Sequence, residues 1–278
     1  MSNLSEIKRR LVSARQTRKI IAAMETVSVA KMRKASDRLS GNKTYTELLI
    51  GMLNDLANSS AFSGDIFFNP PKSGKKLLVV LSSDNGLCGG FNHDIFKKAD
   101  EIIDGDTTVI PIGAIGGEHY KNKSNVDMRF AGDFTADYLS AQSVSEVLID
   151  EYEKGLSDVS IVYSVPDGSA NKVCVKRILP ILPGGGQSHT EIEATPEALS
   201  EVLVPLYVEG MVYNAFLGSG AAEHSARRSA MVAATESADN LIEELSTEYN
   251  RARQSSITEQ IIEIIGATSA MGAKGAGQ

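Results

Sequence analysis

The sequence predicts an α/β protein. Two very long terminal helices pair as an antiparallel coiled coil, and a central domain carries a mostly parallel sheet. Three observations predict this. Apolar residues recur at spacings of three and four over the first 56 or so residues. They do so again over the last 80. Between them the period changes to short β-rich runs that alternate with helical stretches. The 278-residue chain is 42% apolar and 23% charged with no Trp, which predicts a folded core rather than disorder. No run of about 18 apolar residues stands out, so no membrane span is expected. The charged start, MSNLSEIKRR, lacks an apolar signal core, and secretion is not expected. Cys88 and Cys174 share no metal spacing and read as free thiols.

The first part covers residues 1–60. Asn3 and Glu6 resemble a capping box. Leu4, Ile7, Leu11 and Ala14 form one stripe, and Ile21, Met24 and Ser28 a second. Met32, Ala35, Leu39, Asn42, Thr46, Leu49, Leu53 and Leu56 form a third, with a phase shift between stripes. At 1.5 Å per residue such a helix reaches about 80 Å, far beyond the needs of one globular domain.

The second part covers residues 74–183. KLLVVLSS, TTVIPIG and DVSIVYSV read as strands. FNHDIFKKADEIID and YLSAQSVSEVLIDEYEKG read as the helices between them, which implies a parallel, Rossmann-like α/β domain. NKVCVKRILP follows PDGSAN and is expected as an antiparallel edge strand. LPGGGQSH reads as a linker.

The third part covers residues 195–278. Thr195 is a good N-cap and Pro196 suits the first helical position. Pro205 is expected to kink the helix early, and Gly210, Gly218 and Gly220 to weaken it. Met231, Ala234, Ala238, Leu241, Leu245 and Ala252 keep a heptad, which Ile257, Ile261 and Ile264 resume after a shift.

The net charge of −7 conceals an asymmetry. Residues 1–43 hold eleven Lys and Arg against three acids, whereas residues 221–265 hold eight acids against four Arg. The complementary signs favour pairing of the two helices with each other. The competing arrangement lays both helices back on the α/β core. Nucleic acid is not expected as a partner, because the positive charges are spread along the helix with no aromatic residues interleaved.

Catalytic candidates are sparse. SSDNGLCGGFN, residues 82–92, follows a strand and opens a helix, where phosphates bind in many α/β folds. Its glycines match neither GxGxxG nor GxxxxGK[ST], and a tight turn needs glycine for conformational reasons alone. GAIGGEH repeats the theme. His93, His119, His189 and His224 show no metal-ligand spacing. Asp84 reads as a turn residue. No cofactor, metal or active site is expected, although a nucleotide-using enzyme and an unrelated coiled-coil scaffold remain alternative readings.

YNRARQSSIT, residues 249–258, is different. Its Arg and Gln donors stand at the entrance to ITEQIIEIIGATSAMGA, a stretch apolar on nearly all faces. A helix of that kind is surrounded by protein. Arg and Gln there suit carboxylates and backbone groups of another chain.

With RKIIAAMETVSVAKMRKA at residues 18–35, SSDNGLCGGFN, and the signature over 225–267, the whole chain resembles the gamma subunits of F-type ATP synthases. The resemblance implies a rotor shaft, one copy per complex, inside a ring of three alpha and three beta subunits. The α/β domain then sits at the foot, against the epsilon subunit and the c-ring. The chain is non-catalytic and peripheral to the membrane, on the cytoplasmic face in bacteria or the matrix side in mitochondria. By the same resemblance, Arg253, Gln254 and Thr258 hydrogen-bond a loop of one beta subunit. Met24 and Arg227 meet the acidic lever of beta, and Glu193 faces the c-ring loops. Departures from the usual pattern stand at Ile21, Ala22, Thr26, Ser28 and Pro205.

Overall fold

A computed structural model describes residues 2–58, 62, 64–69, 71, 74–132, 135, 137–168, 170–182 and 195–275. Side chains are described for all of these but 2–3, 54–55 and 266–275. The elements in chain order are α1 (Ser2–Ala57), β1 (Lys76–Leu81), α2 (Phe91–Asp100), β2 (Thr107–Ile112), α3 (Ala114–Tyr120), α4 (Tyr138–Glu153), β3 (Asp158–Asp167), β4 (Ala170–Leu179) and α5 (Pro196–Gly275). The capping box at Asn3 and the linker from Pro183 to His189 lie outside what is described. The chain divides into two compact units: residues 1–26 with 231–278, and residues 27–230.

The larger unit is built on a four-stranded sheet of order β2-β1-β3-β4. β1 runs parallel to β2 (Leu78 opposite Val109) and to β3 (Val79 opposite Ile161). β4 returns antiparallel to β3 with Tyr163 opposite Cys174, the expected edge strand. Leu77 to Leu81 are buried in succession because helices cover both faces of the sheet. On one face Leu77, Val79 and Leu81 meet α4, the end of α1 (Leu53, Leu56) and α5 from Val204 to Phe216. On the other, Leu78 and Val80 meet α2, Tyr120 and Ala222. In this unit both terminal helices thus do lie on the sheet, and they also pack against each other. Asn214 Nδ2 donates to Thr46 Oγ1 at 3.3 Å.

Two expectations change here. Gly210 and Gly218 mark close approach rather than weakness. A Cβ at Gly210 would stand 3.2 Å from Leu49 Cδ1, and one at Gly218 3.0 Å from Val165 Cγ1. α5 continues unbroken through Pro205. GAIGGEH follows β2 and forms the short helix α3, and Gly117 is required because a Cβ would meet the Ala131 carbonyl oxygen at 2.7 Å. One window of α5 does reach the length and mean hydropathy (1.2) of a membrane span, but 61% of it is buried within the chain. It is the part of the helix that covers the sheet.

The smaller unit is a helix pair. Ile7 and Leu11 of α1 and Met231 and Leu245 of α5 are buried. The α1 stripe is as the sequence reads it. On α5 the seam passes through Met231, Thr235, Ala238, Ile242, Leu245, Tyr249, Ala252 and Ser256, none of them exposed, while Leu241 is 42% exposed. This alternation of four and three keeps strict heptad register, so Ile242 rather than Leu241 faces the partner helix. Arg18 grips Asp239 with both arms of the guanidinium, Nε to Oδ1 at 2.6 Å and Nη2 to Oδ2 at 3.1 Å. Counted from that pair, antiparallel α1 runs out opposite roughly Ser256. Ile257, Ile261 and Ile264 therefore do not resume the seam. They stand 43, 50 and 65% exposed.

Candidate functional site

The turn from Ser82 to Gly90 spends its polar groups inside the chain. Ser82 Oγ donates to the Ile112 carbonyl at 2.7 Å and accepts from the Gly116 amide at 2.8 Å. The Ser83 amide donates to Asn92 Oδ1 at 3.0 Å, and Asn92 Nδ2 donates to Ser83 Oγ at 2.8 Å. Asp84 Oδ1 accepts from the Ala114 amide at 3.0 Å, tying this turn to the start of α3. Cys88 is buried beneath it, and both cysteines are free thiols. The crevice beyond the strand ends, where β1 and β3 diverge, is largely covered by α5. Asn171 Nδ2 donates to the Ala222 carbonyl at 2.8 Å. The cavity left, about 370 Å³, is bordered by Gly89, Gly90, Ser164, Ser229 and Asp94. A phosphate at the head of α2 would face the Asp94 carboxylate. Among the described residues, no group of three His, Cys, Asp or Glu is placed to hold a metal.

Arg227 is turned inward and only 9% exposed. Its Nη2 donates to the carbonyls of Asn85 (3.0 Å) and Gly86 (3.2 Å) and pairs with Glu223 Oε1 at 2.7 Å. Its Nη1 lies 3.2 Å from His224 Nδ1. Burial first, then the positive charges of Arg227 and Lys31, push the His224 pKa down from 6.5 to about 4. At neutral pH the imidazole is uncharged, and Nδ1 accepts from Arg227. Burial pushes the Glu223 carboxyl up, and Arg227 opposes that shift. Leu87, at the tip of the turn, has φ +61° and is 63% exposed. Leu87 is not marked by any motif or spacing in the sequence. Its one signal was a large apolar residue between two glycine positions of a tight turn.

Arg253, Gln254 and Thr258 are exposed on α5, Gln254 and Thr258 one turn apart. The Thr258 hydroxyl donates to its own helix at the Gln254 carbonyl, 2.9 Å away. The side chains of Arg251, Arg253 and Gln254 make no hydrogen bond or ion pair with any described residue. Directly beyond them Ile257, Ile261, Ile262, Ile264 and Ile265 are all exposed, so unspent donors adjoin an apolar collar. Met24 is half-buried in the helix pair of the smaller unit. Glu193 lies outside the described residues.

The ATP synthase family profile matches residues 3–271. The chain is 34% identical to the ATP synthase gamma chain of Clostridium acetobutylicum, over 95% of this chain and 97% of that one. It is 35% identical to the ATP synthase gamma chain of Chlorobaculum parvum, over 98% and 99%. Its fold is similar to a chain of the Euglena gracilis mitochondrial ATP synthase rotor, with TM-score 0.66, 19% identity and coverage of 92% and 99%. It is also similar to a chain of the Tetrahymena thermophila central stalk and c-ring structure, with TM-score 0.59, 20% identity and coverage of 77% and 99%.

Proposed function

The chain belongs to the ATP synthase gamma-chain family, subunits of a larger complex, and we propose that it is the non-catalytic rotor shaft of that complex. In this reading residues 1–60 and 195–278 form the shaft, inside a ring of three alpha and three beta subunits. Residues 74–183 form the foot, against the epsilon subunit and the c-ring. Proton flow turns the c-ring, the shaft turns with it, and each beta subunit meets a different face of the shaft in succession. A shaft with unequal faces biases three identical sites toward different nucleotide affinities, because it contacts each conformation differently. ATP hydrolysis drives the same cycle in reverse.

One observation carries this reading: the isoleucines from Ile257 to Ile265 are exposed, and at their border the side chains of Arg253 and Gln254 make no hydrogen bond or ion pair with any described residue. An apolar collar of that size on a helix end is an interaction surface. Guanidinium and amide donors at its border suit a carboxylate and backbone carbonyls of a beta loop, with Thr258 one turn further on. Met24 is assigned to the acidic lever of a beta subunit, Arg227 to a beta contact made through the turn it holds rather than by its own buried guanidinium, and Glu193 to the c-ring loops. The complex sits on the cytoplasmic face of a bacterial membrane or its mitochondrial counterpart.

Reconstitution with alpha and beta subunits tests the proposal. The chain restores cooperative ATP hydrolysis, and the Arg253→Leu/Gln254→Leu double variant lowers turnover about tenfold or more, on the scale of lost charge-assisted hydrogen bonds. Normal turnover and assembly with the double variant would exclude these residues from the contact. ATP binding by the isolated chain would favour the enzyme reading instead.

A further inference from the structure

We propose that Arg227 is a positioning residue: it fixes the turn 84–88 from behind, and the partner meets the turn rather than the guanidinium. The contact with a partner rests on the shaft reading above, whereas the latch rests on geometry alone.

Both terminal nitrogens of the guanidinium are engaged inside the chain: Nη2 with the adjacent carbonyls of Asn85 and Gly86 and with Glu223, Nη1 with uncharged His224. At 9% exposure little is left to reach outward. The turn needs such a tie. Leu87 sits in the left-handed region at φ +61°, which strains a residue with a branched side chain, and its side chain points to solvent at 63% exposure. From within the turn, the Ser83 hydroxyl reaches the Asn85 carbonyl at 2.9 Å, but Gly86 is held by Arg227. A strained, exposed leucine clamped by a buried arginine from another element is a shape set for contact. Lysine is a poor substitute, because its shorter single ammonium cannot hold the two carbonyls through one nitrogen and His224 through a second.

The test uses the full chain first. Arg227→Gln speeds exchange of the Ser83 and Ala114 amides, which are bonded to Asn92 and to Asp84 of the turn, about tenfold or more, and alkylation of the Cys88 thiol, now 2% exposed, by a similar factor. Arg227→Lys gives the same changes if the Gln variant does not fold. Unchanged exchange and alkylation overturn the proposal. In the reconstituted complex, Leu87→Ala and Arg227→Gln each slow ATP turnover, and the double variant is no slower than Arg227→Gln alone. Losses that multiply would mean that Arg227 touches the partner independently, which also overturns it. Faster exchange with turnover intact in all three variants would leave the latch standing and remove the turn from the partner surface, so the two failures are distinguishable.

Discussion

Single residues decide how tightly the larger unit closes. Gly117 and Gly41 are both helical glycines, yet they differ in what a methyl group would meet. At Gly117 it would meet backbone and Cβ of Ala131 at 2.7 and 2.8 Å, and at Gly41 nothing within 4 Å. Gly117→Ala should therefore cost about 1–3 kcal/mol. Gly41→Ala should add about 0.5–1 kcal/mol by restricting the unfolded chain and improving helix propensity. Denaturant unfolding of the two variants checks both signs. His224 adds a pH term. The unfolded imidazole takes up a proton near pH 6.5, while the folded one resists until about pH 4. The stabilisation is complete above pH 6.5 and is lost as pH falls from there towards 4. Its size is roughly 1–2 kcal/mol once solvent screening of a half-buried group is allowed for. Glu223, shifted upward, has the opposite sign. Comparison with His224→Gln isolates the histidine: the wild-type chain should lose more stability than the variant on acidification.

At the scale of elements, α5 changes its task along its length. Between Val204 and Ala222 it is a core helix, buried against the sheet and α1. From Met231 to Ser256 it is half of a two-helix seam, apolar on one stripe only. From Ile257 to Ile265 it exposes isoleucines on several faces. Each stretch answers differently to substitution. Leu53→Ala, on the α1 face that packs into the core, should cost about 2–5 kcal/mol, because the residue is 1% exposed and leaves a cavity. Ile262→Asp, at 64% exposure, should leave unfolding of the isolated chain unchanged and depress turnover of the reconstituted complex. An equal loss of stability in the isolated chain would show that the collar is internal packing. The Arg18–Asp239 pair joins α1 and α5 in the smaller unit and carries the charge complementarity that the two helices show as wholes. Its worth in specifying the antiparallel register can be read from Arg18→Glu alone and combined with Asp239→Arg.

For the whole molecule, the two units differ in how their stability arises. The larger unit closes two apolar layers over a sheet, and the strand residues Val79, Val80, Ile161 and Val162 are fully buried. The smaller unit has a single seam, half Ala, Ser and Thr on its α5 side, and the buried Thr235 hydroxyl has no hydrogen-bond partner among the described residues. Amide exchange should accordingly be slowest in β1 and β3 and faster throughout residues 4–26 and 231–265. Assembly with alpha and beta subunits should slow exchange in residues 251–265 and leave β1 and β3 unchanged.

The sequence by itself determined the described elements other than α3, their order, and the buried face of α1. Hydrophobic period is a local property, and in α1 every predicted stripe residue with a described side chain is buried or half-buried. It also pointed to Arg253 and Gln254 as donors unspent among the described residues, because such donors next to an all-round apolar run have nothing local to satisfy them. Only the tertiary structure decided the rest. Ile242 displaced Leu241 in the seam because register depends on which turn of the partner helix lies opposite. Gly210, Gly218 and Gly117 became sites of close approach because their neighbours, Leu49, Val165 and Ala131, are distant in sequence. Arg227 became an inward clamp because the carbonyls it holds come from a turn some 140 residues earlier. Periodicity encodes a face. What that face meets is set by long-range packing, which no local pattern records.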